Sequence, residues 1–72
     1  MIIGIAMVKV VSGQEELVYS FLKRKEGILD LYHIFGEYDF FLIMQAENLA
    51  KMNELMEDIQ GGYHITAART YW

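Results

Sequence analysis

Two runs of apolar, β-favouring residues, Ile28 to Phe35 and Phe40 to Ala46, flank the segment Gly36-Glu37-Tyr38-Asp39, and this arrangement constrains the fold more than any other feature of the chain. Runs of that length and apolarity read as strands. A glycine-containing turn between them makes an antiparallel hairpin. Gly36 takes a positive φ without the Cβ clash that other residues suffer, so the strands reverse tightly and leave peptide N–H groups free. Asp39 stands at the mouth of the following strand, and two roles are open to it. It closes its own hairpin by accepting from the turn backbone, a common use of Asp, or it receives the ammonium group of a ligand.

The flanking segments complete a pattern. Ile2 to Val11 is almost wholly apolar and reads as a strand buried on both faces. Ser12, followed three residues later by Glu15, has the spacing of a capping box, and Leu17, Val18, Phe21 and Leu22 recur behind it at helical spacing. Glu15 and Glu16 in the first turn and Lys23 to Lys25 in the last match the helix dipole, and Gly27 supplies the stop. Asn48 caps a second helix whose apolar stripe is Leu49, Met52, Leu55, Met56 and Ile59, with Lys51, Asn53, Glu54, Glu57 and Asp58 facing water. Gly61-Gly62 ends it, and Tyr63 to Trp72 reads as the last strand.

Strand, helix, strand, strand, helix, strand is the split βαβ order of an α+β, ferredoxin-like fold. Residues 1–72 read as a single domain. Right-handed crossovers place both helices on one face of a four-stranded antiparallel sheet of expected order 4-1-3-2. The other face keeps the apolar side chains of alternate strand positions, and here composition matters. The chain is 54% hydrophobic with no cysteine, and a domain of this size buries only roughly 60% of its unfolded surface. The excess belongs in a membrane or against another chain. No apolar run approaches the roughly 20 residues of a spanning helix, and the start lacks a basic region and a cleavage signature. Oligomerisation is the remaining outlet, with several hundred Å² of apolar surface worth about 10 kcal/mol before association costs.

Chemistry-bearing constellations are sparse. A formal net charge of −4 lacks the clustered Lys and Arg of a nucleic-acid footprint. The absence of cysteine fits a reducing, cytoplasmic setting. There is no Walker loop, no G-x-G-x-x-G, no HExxH and no nucleophile beside a histidine with an orienting acid. His33 and His64 fall in different predicted strands and read as packed or interface residues. Asp30 and His33, three apart in one strand, point to opposite faces. No metal site and no cofactor is expected. Met44, Met52 and Met56 read as adaptable core filling. Arg69, in an apolar last strand, needs a partner or water. Glu37, Asp39, an acidic residue of another subunit and a ligand carboxylate are the candidates, with an interface salt bridge favoured.

The hairpin Ile34-Phe35-Gly36-Glu37-Tyr38-Asp39-Phe40-Phe41-Leu42, followed by Leu49-x-x-Met52 and Gly62-Tyr63-His64-Ile65-Thr66, resembles the ligand-binding RAM domain of the Lrp/AsnC (leucine-responsive) transcription regulators over essentially the whole chain. In those regulators a DNA-binding domain precedes this module. The chain begins at its first strand and is therefore similar to a stand-alone RAM protein without its own DNA-binding domain. The resemblance implies sheets packed face to face in a homodimer, dimers assembled into octamers or similar rings, and small effectors, chiefly amino acids, in clefts between dimers lined by the G-x-Y-D turn. It implies co-assembly with full-length Lrp-like regulators as a further partnership, and no direct contact with nucleic acid or membrane. Carried over by position, the ligand-binding candidates are Gly36, Tyr38 and Asp39, with Thr66 at the first of two threonine positions in the last strand and Ala68 in place of the second. Phe35 stands where a Ser or Thr often precedes the turn glycine.

A non-enzymatic effector-sensing and oligomerisation module is the reading these features favour. Two alternatives share the fold. A small dimeric α/β-barrel enzyme of the antibiotic-biosynthesis monooxygenase type needs a cavity between helices and sheet with convergent polar groups, whereas the helix stripes here are bulky. An ACT-like amino-acid sensor places its contacts at the first strand-helix turn, here Ser12-Gly13.

Overall fold

In the computed structural model, which describes residues 1–71, the elements follow in the order β1 (Ile2–Val10), α1 (Glu15–Arg24), β2 (Ile28–His33), β3 (Phe40–Ala46), α2 (Leu49–Gln60) and β4 (Ile65–Tyr71). The four strands form one antiparallel sheet in the order β2-β3-β1-β4, as the connection rules require. Trp72, the expected end of the last strand, lies outside the described residues.

The two faces of the sheet differ because side chains alternate along each strand. Ala6, Val8 and Val10 of β1 and Phe40, Leu42 and Met44 of β3 point to the helices and are buried. They meet Val18 and Leu22 of α1 and Met52, Leu55, Met56 and Ile59 of α2 in one core. The methionines fill this layer as expected. Gly4 leaves room for them, since a Cβ there sits 3.2 Å from the Met52 methyl group. The opposite, outer face carries Ile3, Ile5 and Met7 of β1, in register with Gln45, Ile43 and Phe41 of β3. Tyr32 lies beside Phe41 on β2, with ring centroids 6.3 Å apart, and Arg69 and Tyr71 lie opposite Met7 and Ile5 on β4. Ile3 and Ile5 remain 51% and 37% exposed, so β1, expected to be buried on both faces, is covered on one face by its own chain.

Several boundaries shift for local reasons. The capping box does not form: α1 starts after Gln14, which makes no side-chain cap bond, and Ser12 lies in the turn that follows β1. Asn48 does cap α2, accepting the Lys51 N–H at 2.9 Å. Leu17, Phe21 and Leu49, expected on the apolar stripes, are exposed. A ten-residue α1 and the first turn of α2 offer the sheet a narrower contact than the periodicity suggests. The connection between β2 and β3 runs over the six residues from Ile34 to Asp39, because regular pairing ends at His33 and Phe40, and Phe35 is 95% exposed at the tip. His64 lies before β4 in a turn with φ 69°, not in the last strand.

Candidate functional site

The site proposed for the Gly36 turn is built around the C-terminal end of β1. Regular pairing of β1 with β3 ends at Val8 and Phe40. Asp39 continues it by other means. Its N–H donates to the Val8 carbonyl at 2.8 Å, and its Oδ2 accepts the Val10 N–H at 2.8 Å. Its carbonyl accepts from the Ile34 N–H at 2.8 Å, which closes the connection behind β2. Asp39 is thus both a hairpin closer and a cross-strand bracket. The carboxylate is spent on the neighbouring strand β1, not on its own turn, and Oδ1 accepts no hydrogen bond among the described residues.

On the other edge of β1 the Thr66 hydroxyl donates to the Lys9 carbonyl at 3.3 Å, and Val11 N–H donates to the His64 carbonyl at 2.8 Å. Asp39 and Thr66 therefore flank the same two residues, Lys9 and Val10, from opposite sides. Gly36, with φ 114° and no heavy atom within 4 Å of a Cβ built there, leaves the turn open to solvent. Thr66 and Ala68 border a shallow concavity of ≈ 300 Å³ with Gln60, Ile65 and Ala67. A larger one of ≈ 570 Å³ lies at the opposite end of β1, between Met1, Gly27 and the charged residues Glu47, Lys51 and Asp58, and holds none of the candidate residues.

Arg69 was expected to reach Glu37, Asp39 or an acidic group beyond the chain. Within the chain its partners are phenols. The side-chain bond to Tyr71, then the charge interaction with Tyr38, hold the guanidinium proton more firmly than usual. Asp39 is engaged by Val10, and the ion pairs among the described residues are Lys25–Asp58 and Lys51–Glu54, each 3.4 Å. Tyr38 thereby acts on the charge of Arg69, a relationship that sequence spacing does not reveal. His33 packs between the rings of Phe35 and Phe40, at 5.8 and 5.1 Å, and Asp30 faces away from it, opposite Ile43. The core holds no buried polar or charged side chain among the described residues, so it offers no convergent polar groups between helices and sheet.

Comparison with known families decides the lineage: the family model of the Lrp/AsnC ligand binding domain matches residues 3–71. The chain belongs to this family. Solved structures agree on the fold of this Lrp/AsnC domain. It is similar to FFRP-DM1, with 21% identity, a TM-score of 0.93 and coverage of 99% of this chain and 96% of that one. It is similar to the hypothetical protein PHS023 from Pyrococcus horikoshii, with 21% identity, a TM-score of 0.89 and coverage of 99% and 87%. It is similar as well to the transcriptional regulator NMB0573 from Neisseria meningitidis, solved as a complex with L-Met, with 12% identity, a TM-score of 0.87 and coverage of 96% of this chain but 47% of that one. The Lrp/AsnC domain thus spans about half of the length of that regulator. No curated protein matches the chain by sequence.

Proposed function

We propose that this Lrp/AsnC domain is a non-enzymatic sensing and assembly module that self-associates through the outer face of its sheet and takes an amino acid at the end of β1. The observation that carries the ligand reading is the Asp39 carboxylate. One oxygen is fixed by the Val10 N–H, and the other is left to accept an ammonium group. The exposed Gly36 peptide offers donors for a carboxylate nearby, and Tyr38, Thr66 and Ala68 shape the surroundings. Charge-assisted bonds of this kind supply both affinity and orientation. The L-Met complex of the Neisseria regulator, a protein of the same fold, supports the choice of ligand class.

Assembly follows from the apolar outer face. A homodimer buries it, and dimers join into an octamer or similar ring that brings a second chain to the open turn. Full-length Lrp-like regulators are further partners, since a shared domain permits mixed assemblies. The two helices are separated by strands, so the described residues contain no helix-turn-helix, and the domain reaches nucleic acid only through such partners. No helix is long and apolar enough to cross a membrane.

Calorimetric titration of the purified protein with L-amino acids, and with matched amines and carboxylic acids that carry one of the two charged groups, tests the ligand reading. Binding that requires both groups on one molecule is expected. Equal affinity for the simple amines or acids, or no heat with any amino acid, overturns it.

A further inference from the structure

The outer face of the sheet is apolar along its centre and charged at its two sides, with opposite signs. Arg69 lies opposite Met7 and Lys9 opposite Ala67, so two cations sit on the β1–β4 half. Asp30 lies opposite Ile43 on the β2 edge and is the acidic residue among the strand positions of this face. Both Asp30 and Arg69 are exposed in the single chain. Tyr71 and Tyr38 both favour the charged guanidinium of Arg69, whose five donors leave room for a carboxylate.

This inference rests on the self-association through the sheet face proposed above. A cation carried into an apolar interface needs a hydrogen-bonded counter-charge, and a symmetric pair of chains supplies it only in one orientation. With the strand order β2-β3-β1-β4, a twofold axis parallel to the strands lays β2 of one copy over β4 of the other. It keeps the level along the strands unchanged. Arg69 then meets the level of Tyr32, and Asp30 lies two residues further along, ~6.8 Å away. Across sheets packed ~10 Å apart, the long arginine side chain reaching toward the aspartate spans that offset. A twofold axis perpendicular to the strands lays β4 over β4 instead and gathers the cations of both copies. The geometry points to a reciprocal pair of salt bridges, Arg69 of one copy with Asp30 of a second copy, that sets the orientation of the dimer.

Charge reversal tests the pairing by sedimentation, with circular dichroism as the check on folding. Asp30→Arg and Arg69→Asp alone each place like charges at both symmetric contacts and weaken self-association about 100-fold or more. An equimolar mixture of the two variants restores both contacts in a heterodimer, and the double variant restores them in a homodimer. Wild-type association that survives both single reversals, or reversals that the mixture and the double variant fail to rescue, overturns the pairing while leaving the sheet-face dimer standing. A monomeric wild type overturns both. Should a reversal unfold the chain, the neutral variants Asp30→Asn and Arg69→Met take its place, each expected to weaken association roughly tenfold, and no loss in either overturns the pairing.

Discussion

The Asp39 carboxylate accepts the Val10 amide at 2.8 Å and so supplies a rung that the backbone pairing of β1 with β3 lacks beyond Val8 and Phe40. The same residue thereby holds the open end of the connection in place and keeps one oxygen available at the candidate site. These two roles separate by mutation.

Asp39→Asn retains an oxygen for the Val10 N–H and removes the charge. Amino-acid affinity should fall roughly 10- to 150-fold, the worth of about 1.5–3 kcal/mol in charge-assisted bonds, with folding and dimerisation unchanged. Asp39→Ala also strands the half-buried Val10 N–H and should lose about 1–3 kcal/mol of stability in addition. Calorimetry and denaturant titration on the two variants measure the difference, and equal effects of both on stability would contradict the bracket role.

The glycines at Gly27 and Gly36 both have positive φ, 99° and 114°, but their surroundings differ. A Cβ at Gly27 lies 2.9 Å from Leu55 Cδ2 and 3.1 Å from the Gln45 carbonyl, whereas one at Gly36 meets nothing within 4 Å. Gly36→Ala should cost about 1–2 kcal/mol from backbone strain alone. Gly27→Ala adds a collision with the core and should cost about 3 kcal/mol or more. Urea unfolding of the two variants ranks them.

Of the two helix caps expected from the sequence, the one at Asn48 forms and the one at Ser12 does not. Asn48→Ala removes the acceptor for the Lys51 N–H and should cost about 1 kcal/mol. Ser12→Ala should be neutral, because Ser12 caps nothing. Thermal unfolding of both variants distinguishes a cap that forms from one that only has the spacing.

The element order, strand order and the core stripe of α2 were legible because hydrophobic period and turn residues agree there: Met52, Leu55, Met56 and Ile59 are buried where helical spacing puts them. Local signals misled where tertiary packing decides. Ser12-x-x-Glu15 has capping-box spacing, but the chain turns at Ser12 and Gly13 before the helix begins. Leu17 and Leu49 fit their stripes yet remain exposed. At the site, the residue types of Asp39 and Thr66 were visible, but their meeting at Lys9 and Val10 depends on strand register, which a 57-residue separation in sequence conceals. The influence of Tyr38 on Arg69 was hidden for the same reason.

Ile5 sits between Ile43 and Tyr71 on the outer face, with no role in the core. Ile5→Asp should leave the helix content of the chain intact and weaken self-association about 100-fold or more, since a lone charge in a desolvated interface has no partner. Far-UV circular dichroism with sedimentation velocity checks both halves, and unchanged association would move the interface elsewhere.

Native mass spectrometry of the purified protein, with and without a panel of amino acids, tests the central claim most directly because it weighs assembly and ligand together. The expected spectrum shows dimers or larger even-numbered multiples of the 8.4 kDa chain, shifted by the mass of a bound amino acid when the right one is present. A single unliganded 8.4 kDa species at micromolar concentration, unchanged by every amino acid, would contradict it.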